Sequence, residues 1–67
     1  MTADRIRALR RRLGLTQAEF AERYHLAFPT VQGWEQGRGI SMSATILFTL
    51  IEREPELIAE ILARHRS

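Results

Sequence analysis

The stretch Gln17–Gln36, QAEFAERYHLAFPTVQGWEQ, reads as two short helices joined by a tight bend. Thr16 is placed to cap the first. Glu19, three residues on, completes a capping box in which each side chain satisfies a free backbone donor of the first turn. Ala18 and Ala21, with Phe20 and Tyr24 one face over, form an apolar stripe opposite Gln17, Glu19, Glu22 and Arg23. The helical period breaks at His25, Leu26 and Ala27. A second stripe then begins at Phe28 and continues through Val31 and Trp34, with Gly37 as its C-cap. Two helices this short cannot stand alone, because nucleation orders several residues before any hydrogen bond compensates. The rest of the chain must therefore supply the surfaces that hold them.

Sixty-seven residues predict a single domain over 1–67. A domain of this size buries only about 60% of its unfolded surface, so dimerisation would add useful stability. A hydrophobic content of 45% argues for a globular chain, and the absence of cysteine removes disulfide, zinc-ribbon and thiol chemistry. No run approaches the roughly 18 apolar residues of a membrane span. Asp4 and the arginines of the first eleven residues leave no apolar core for a signal peptide, so a cytoplasmic location is expected. Every basic residue is arginine. Residues 1–40 carry seven Arg against Asp4, Glu19, Glu22 and Glu35, a balance of +3; residues 41–67 carry three Arg against four Glu, a balance of −1; together they give the net +2. A basic first half suits a surface that meets phosphate, although a solvated helix face has the same composition.

Between Ile6 and Gly37, LGLTQAEFA, the bend and TVQGWEQG resemble the helix-turn-helix of phage repressors of the Cro type and of small bacterial antitoxin-type (HigA-like) transcriptional regulators. The resemblance implies an all-α, five-helix, lambda-repressor-like DNA-binding domain with its motif at 17–36. It implies a repressor working as a homodimer on palindromic double-stranded DNA, with the further expectation of an antitoxin that autoregulates its operon and has a toxin as partner. It also implies that Arg10 pairs with Glu35 at the end of the second motif helix, where guanidinium and carboxylate can meet bidentately; the alternative is two solvated charges. In a helix-turn-helix the second helix enters the major groove by its N-terminal residues. That makes Phe28, Pro29, Thr30, Gln32 and Gly33 the candidate reading surface, with Gln17 and Arg38 as candidate phosphate contacts. Gln32 is the side chain with the paired donor and acceptor that suits adenine, Thr30 can bond phosphate or base, and Phe28 and Pro29 offer only apolar contact with thymine methyls. Three positions depart from the family pattern. Ala27 stands where Ser or Thr usually caps, His25 stands where glycine usually bends the chain, and Gly33 sits inside a helix at a cost of about 1 kcal/mol relative to alanine. The resulting surface is poor in donors, which leaves a second reading open: a protein-interaction module that binds and neutralises a partner with little or no DNA binding.

Outward from the motif, a first helix is expected over 4–13, with Asp4 as N-cap and Gly14 ending it; Ile6, Leu9 and Leu13 face inward and Arg5, Arg7, Arg11 and Arg12 outward. The remaining helices are expected near 17–24, 28–36, 42–53 and 55–65, so that 42–65 completes the core and forms the dimer. Ser41 or Ser43 caps the fourth, whose Ile46, Leu47, Phe48, Leu50 and Ile51 require cover on more than one face, mostly as core. Pro55 suits the first position of the fifth. Part of the fifth helix's stripe should fold back on the first and fourth; Leu57, Ile58, Ile61 and Leu62 are the candidate dimer contact. The expected core is Ile6, Leu9, Leu13, Phe20, Ala21, Leu26, Val31, Trp34, Leu47 and Ile51. His25 and His65 lie 40 residues apart, with no paired-carboxylate or nucleophile motif near either. No enzyme activity, metal or cofactor is expected, and each histidine reads as a bend or helix-end residue.

Overall fold

The computed structural model describes residues 1–65; Arg66, which the sequence suggests as a charge at the end of the last helix, lies outside them. Five helices follow one another: α1 (Ala3–Arg12), α2 (Gln17–Arg23), α3 (Phe28–Glu35), α4 (Met42–Arg53) and α5 (Pro55–Arg64). Among the described residues there is no strand.

Local chemistry sets most of the boundaries. Thr16 and Glu19 form both halves of the capping box, the Glu19 N–H donating to Thr16 Oγ1 at 3.1 Å and the Thr16 N–H to Glu19 Oε1 at 2.8 Å. Ser41 rather than Ser43 caps α4, accepting from the Ala44 N–H at 3.1 Å. At α1 the expected cap is displaced. Thr2, not Asp4, accepts from the Arg5 N–H, and the Ile6 N–H donates to the Thr2 carbonyl at 3.1 Å. Starting earlier adds backbone bonds and leaves Asp4 in the first turn, where its carboxylate faces the positive end of the dipole and takes a 3.0 Å hydrogen bond from Arg7.

The first three helices end in the same way. In each, a residue with positive φ reverses the chain, and its own amide and the next one return to carbonyls of the last turn, satisfying groups the helix leaves open. After α1 the residue is Gly14 (φ 72°), with the Leu15 N–H bonded to the Arg10 carbonyl at 3.1 Å; after α3 it is Gly37 (φ 78°), with the Arg38 N–H bonded to the Gly33 carbonyl at 2.7 Å. After α2 it is His25 (φ 55°), with the Leu26 N–H bonded to the Ala21 carbonyl at 2.8 Å. A histidine thus makes the bend between the motif helices, in a region that non-glycine residues visit at some cost.

The core is Ile6 and Leu9 of α1, Phe20, Ala21 and Tyr24 at α2, Val31 and Trp34 of α3, and Ala44, Phe48 and Ile51 of α4. Leu13, Leu26 and Leu47, expected inside, are only partly buried and pack around its edge, while Ala18 is exposed. Leu13 and Leu26 sit in or beside turns, where the chain has left the helical face that pointed inward. Tyr24 is buried because its hydroxyl has a partner: it donates to the Pro55 carbonyl at 2.9 Å and ties the end of α2 to the start of α5. Burial pushes the Tyr24 phenol up from its ordinary pKa. The α4 helix divides its apolar residues differently from expectation. Ala44, Phe48 and Ile51 face the core, but Met42, Ile46 and Leu50, spaced four apart, form an exposed ridge. The α5 helix buries none of its residues fully; Ile58, Ala59 and Leu62 lean on the core, and Leu57 and Ile61 stay exposed.

Candidate nucleic-acid interface

The presentation of α3 depends on two arginines of α1. Arg10 donates from Nε to Glu35 Oε2 at 2.7 Å and from Nη2 to Glu35 Oε1 at 3.0 Å, a bidentate fork, and its third nitrogen reaches the Leu15 carbonyl at 3.0 Å. Glu35 is the one buried charged residue among those described, 4% exposed. Its carboxyl is held below the usual carboxylate range first by the Arg10 hydrogen bonds, against burial that would raise it, with smaller contributions from the Gln17 amide and the nearby Arg10 and Arg7 charges. The same contact raises Arg10.

Arg7 differs from expectation. It does not simply point outward but donates to the Glu35 backbone carbonyl at 2.6 Å and bridges to Asp4. A cation thus sits at the negative end of α3, and its delocalised fork satisfies a carbonyl the helix leaves open. Arg5 stays exposed, as expected, but is not free: its guanidinium lies 5.7 Å from the Phe48 ring centroid and pairs with Glu52. Arg12 reaches the Glu52 carbonyl at 3.4 Å. Much of the positive charge in the first half therefore fastens helices together, and less of it than the sequence suggests is left for an external anion. Spacing could have flagged Arg7, three residues before Arg10 and on the same helix face.

The outward surface of α3 follows from helical geometry. At about 100° per residue, buried Val31, Trp34 and Glu35 set the inward direction, and Pro29, Gly33 and Gln36 lie opposite it. Phe28 and Gln32 flank this line on one side and Thr30 on the other. Phe28 is 41% exposed, and Pro29, Thr30, Gln36 and Arg38 are exposed; Gln32 and Gly33 are half-buried. Gln32 thus stands at the flank of the surface, not at its middle. Gln36, which the sequence suggested only as a helix end, stands on the central line, and its side-chain carbonyl accepts from the Arg38 guanidinium.

The start of α3 has little to offer as a donor. Ala27 makes no side-chain cap, Pro29 has no N–H, and the Thr30 N–H bonds to the Ala27 carbonyl at 3.0 Å. Among the described residues, only the Phe28 N–H of this turn lacks an acceptor. Gln17, at the first position of α2, is half-buried, and its amide is among the groups that lower the Glu35 carboxyl.

Of the four candidate dimer residues, Leu57 (49%) and Ile61 (39%) are exposed, whereas Ile58 and Leu62 spend part of their surface on the core. The exposed apolar surface extends instead onto α4 through Met42 (75%), Ile46 (56%) and Leu50 (48%). The wide apolar arc of α4 reads in the sequence as mostly core, and the structure instead leaves its Met42, Ile46 and Leu50 side uncovered. No described helix is long and apolar enough to cross a membrane.

Residues 6–52 match the model of a family described as helix-turn-helix. Among curated proteins the chain is similar to Antitoxin HigA-2 of Vibrio cholerae serotype O1, with 31% identity over 62 residues; the match covers 91% of this chain and 60% of the length of that protein. No solved structure matches.

Proposed function

This chain belongs to the helix-turn-helix family, and from that premise we propose that it is a sequence-specific DNA-binding transcriptional repressor that acts as a homodimer on a palindromic operator. We extend the proposal to an antitoxin role, in which the protein represses its own operon and pairs with a toxin, on the strength of its similarity to Antitoxin HigA-2. The observation that carries the DNA-binding reading is the outward face of α3: Phe28, Pro29, Thr30 and Gly33 are presented on a helix whose far end is clamped by Arg7 and Arg10. A reading helix needs this combination, since base edges are met within tenths of an ångström and a loosely held helix would lose the discrimination that geometry provides.

The chemistry of that face defines a mode of reading. Phe28, Pro29 and Gly33 bring no side-chain donor, so discrimination rests on apolar contacts, with Gln32 reaching an adenine from the flank and Thr30 serving base or phosphate. Gln17 and Arg38 contact phosphate. The half-site is then rich in A·T pairs, where thymine methyls and adenine edges line the major groove. Two copies meet through the ridge of Met42, Ile46 and Leu50 with Leu57 and Ile61 beside it, Ile58 and Leu62 supporting it from beneath, and set two α3 helices about one DNA turn, roughly 34 Å, apart. Fluorescence titration of the full chain with duplex DNA across a series of salt concentrations tests the reading. The expected result is affinity that falls linearly on a log–log plot, with a slope near 0.9 per phosphate neutralised. Binding of a partner protein with no salt-dependent DNA binding would favour the interaction-module reading instead.

A further inference from the structure

Pro29, Thr30, Gly33, Trp34, Arg38 and Gly39 line an open recess of about 430 Å³ on the outward side of α3. Its floor exists because Gly33 has no side chain. The backbone does not require glycine there: Gly33 is an ordinary helical residue without positive φ, and a Cβ at this position would meet nothing closer than the Arg38 carbonyl oxygen at 3.6 Å, an ordinary van der Waals distance. Alanine would fit and would favour the helix. The glycine therefore costs helix stability and leaves empty space on the one face of α3 that points away from the core.

The lining determines what that space can recognise. Pro29 has no donor and Gly33 no side chain. The Trp34 indole N–H is occupied by the Gly39 carbonyl at 3.2 Å, and the Arg38 guanidinium is held by Gln36. What remains is the proline ring, the Thr30 side chain, the indole edge and bare backbone, with one cation at the rim. This surface suits an apolar group carried beside a phosphate. In the major groove, the C5-methyl of a pyrimidine is such a group, and it projects from the base edge toward a helix lying in the groove.

We infer that this recess seats the C5-methyl group of a pyrimidine, thymine or 5-methylcytosine alike, and that Gly33 is a specificity-determining residue because its missing side chain lets the base edge approach the α3 backbone. The inference rests on the proposed DNA-binding function and specifies how one position of the site is read. Arg38 anchors the phosphate flanking that base, at the same rim.

The test compares the full chain on duplexes selected from a random pool, each thymine of the selected site then being replaced singly by deoxyuridine, which lacks only the methyl. At one position per half-site, the loss of the methyl should weaken binding about fourfold, the worth of burying one such group. At that position 5-methylcytosine should bind tighter than cytosine by a similar factor. Gly33→Ala should raise the melting temperature by about 4–8 °C while narrowing the thymine-to-uracil ratio, and Gly33→Leu should bring the ratio to one. Equal affinities within either methylated pair in the unmutated protein would overturn the inference alone, as would a ratio unchanged in Gly33→Ala. Absence of salt-dependent duplex binding would remove the DNA-binding function and this inference together.

Discussion

Replacing Arg10 with methionine removes the bidentate partner of Glu35 and leaves a carboxylate that is 4% exposed without its main counter-charge. Breaking one side of a buried pair costs about 3–5 kcal/mol, chiefly because the remaining charge has lost its solvent and its partner. Two features of the site bear on the size of the loss. Arg7 Nε stands 3.9 Å from Glu35 Oε1 and can move closer, which places the cost at the low end, about 3 kcal/mol; the bond from Arg10 to the Leu15 carbonyl is lost as well. A domain of this size has about 3–10 kcal/mol of stability in all, so Arg10→Met should be largely unfolded at modest urea concentrations that leave the unmutated protein native. Urea titrations of Arg10→Met, Glu35→Leu and the double variant measure the coupling, and the double variant should be at least about 2 kcal/mol more stable than the summed losses imply. The pH dependence adds a second signature. The folded-state pKa of Glu35 is depressed, so its contribution is fully present above the unfolded value, about 4.3, and is lost as pH falls through the folded value. The stability gap between the unmutated protein and Arg10→Met should therefore close on acidification below about pH 4. A loss under about 1 kcal/mol, the same at pH 7 and pH 3, would mean that the pair behaves as a surface contact and that α3 is held by something else.

Three further variants probe separate parts of the fold. Tyr24→Phe removes the hydroxyl that donates to the Pro55 carbonyl and should cost about 0.5–1.5 kcal/mol in urea titration; no change would mean that water serves α5 equally well. His25→Gly relieves a side chain at φ 55° and should raise stability by about 0.5–1 kcal/mol, whereas a loss would show that the imidazole contributes contacts of its own. Ile46→Glu and Ile61→Glu alter exposed side chains, so each should leave the helical content intact while giving monomers by sedimentation. A dimer that survives both changes would place the interface elsewhere.

The parts of this fold that depend on near neighbours in the chain are the parts the sequence makes legible. The capping box at Thr16 and Glu19, the reversals at Gly14 and Gly37 and the bend at His25 each involve residues within one helical turn, so their chemistry can be read directly from spacing. Distant partners are less visible. Arg7 looks like a solvated charge until α3 is placed so that its last carbonyl lies within reach, and Arg5 until Glu52 and Phe48 come beside it. The α4 helix shows the same limit: its wide apolar arc reads as mostly core, but the division into a core face at Ala44, Phe48 and Ile51 and an exposed ridge at Met42, Ile46 and Leu50 depends on where α5 docks. On the candidate surface, Phe28, Pro29 and Thr30 are exposed as residues off the core side. The displacement of Gln32 to the flank and the central place of Gly33 and Gln36 emerge once Val31, Trp34 and Glu35 fix the inward direction together, and a charged residue such as Glu35 is seldom assigned to a buried face from sequence.

DNA reading by α3 is tested most directly by a selection of bound sequences from a pool of random duplexes, carried out with the full chain and repeated with Gln32→Ala and Arg38→Ala. The expected product is a two-fold symmetric, A·T-rich motif with half-sites about one DNA turn apart. Gln32→Ala should relax the choice at a single position at a cost of about 1–3 kcal/mol, and Arg38→Ala should weaken all sequences alike and flatten the salt dependence. Enrichment of no motif, or a motif indifferent to every residue on the outward face of α3, would contradict DNA reading by that helix.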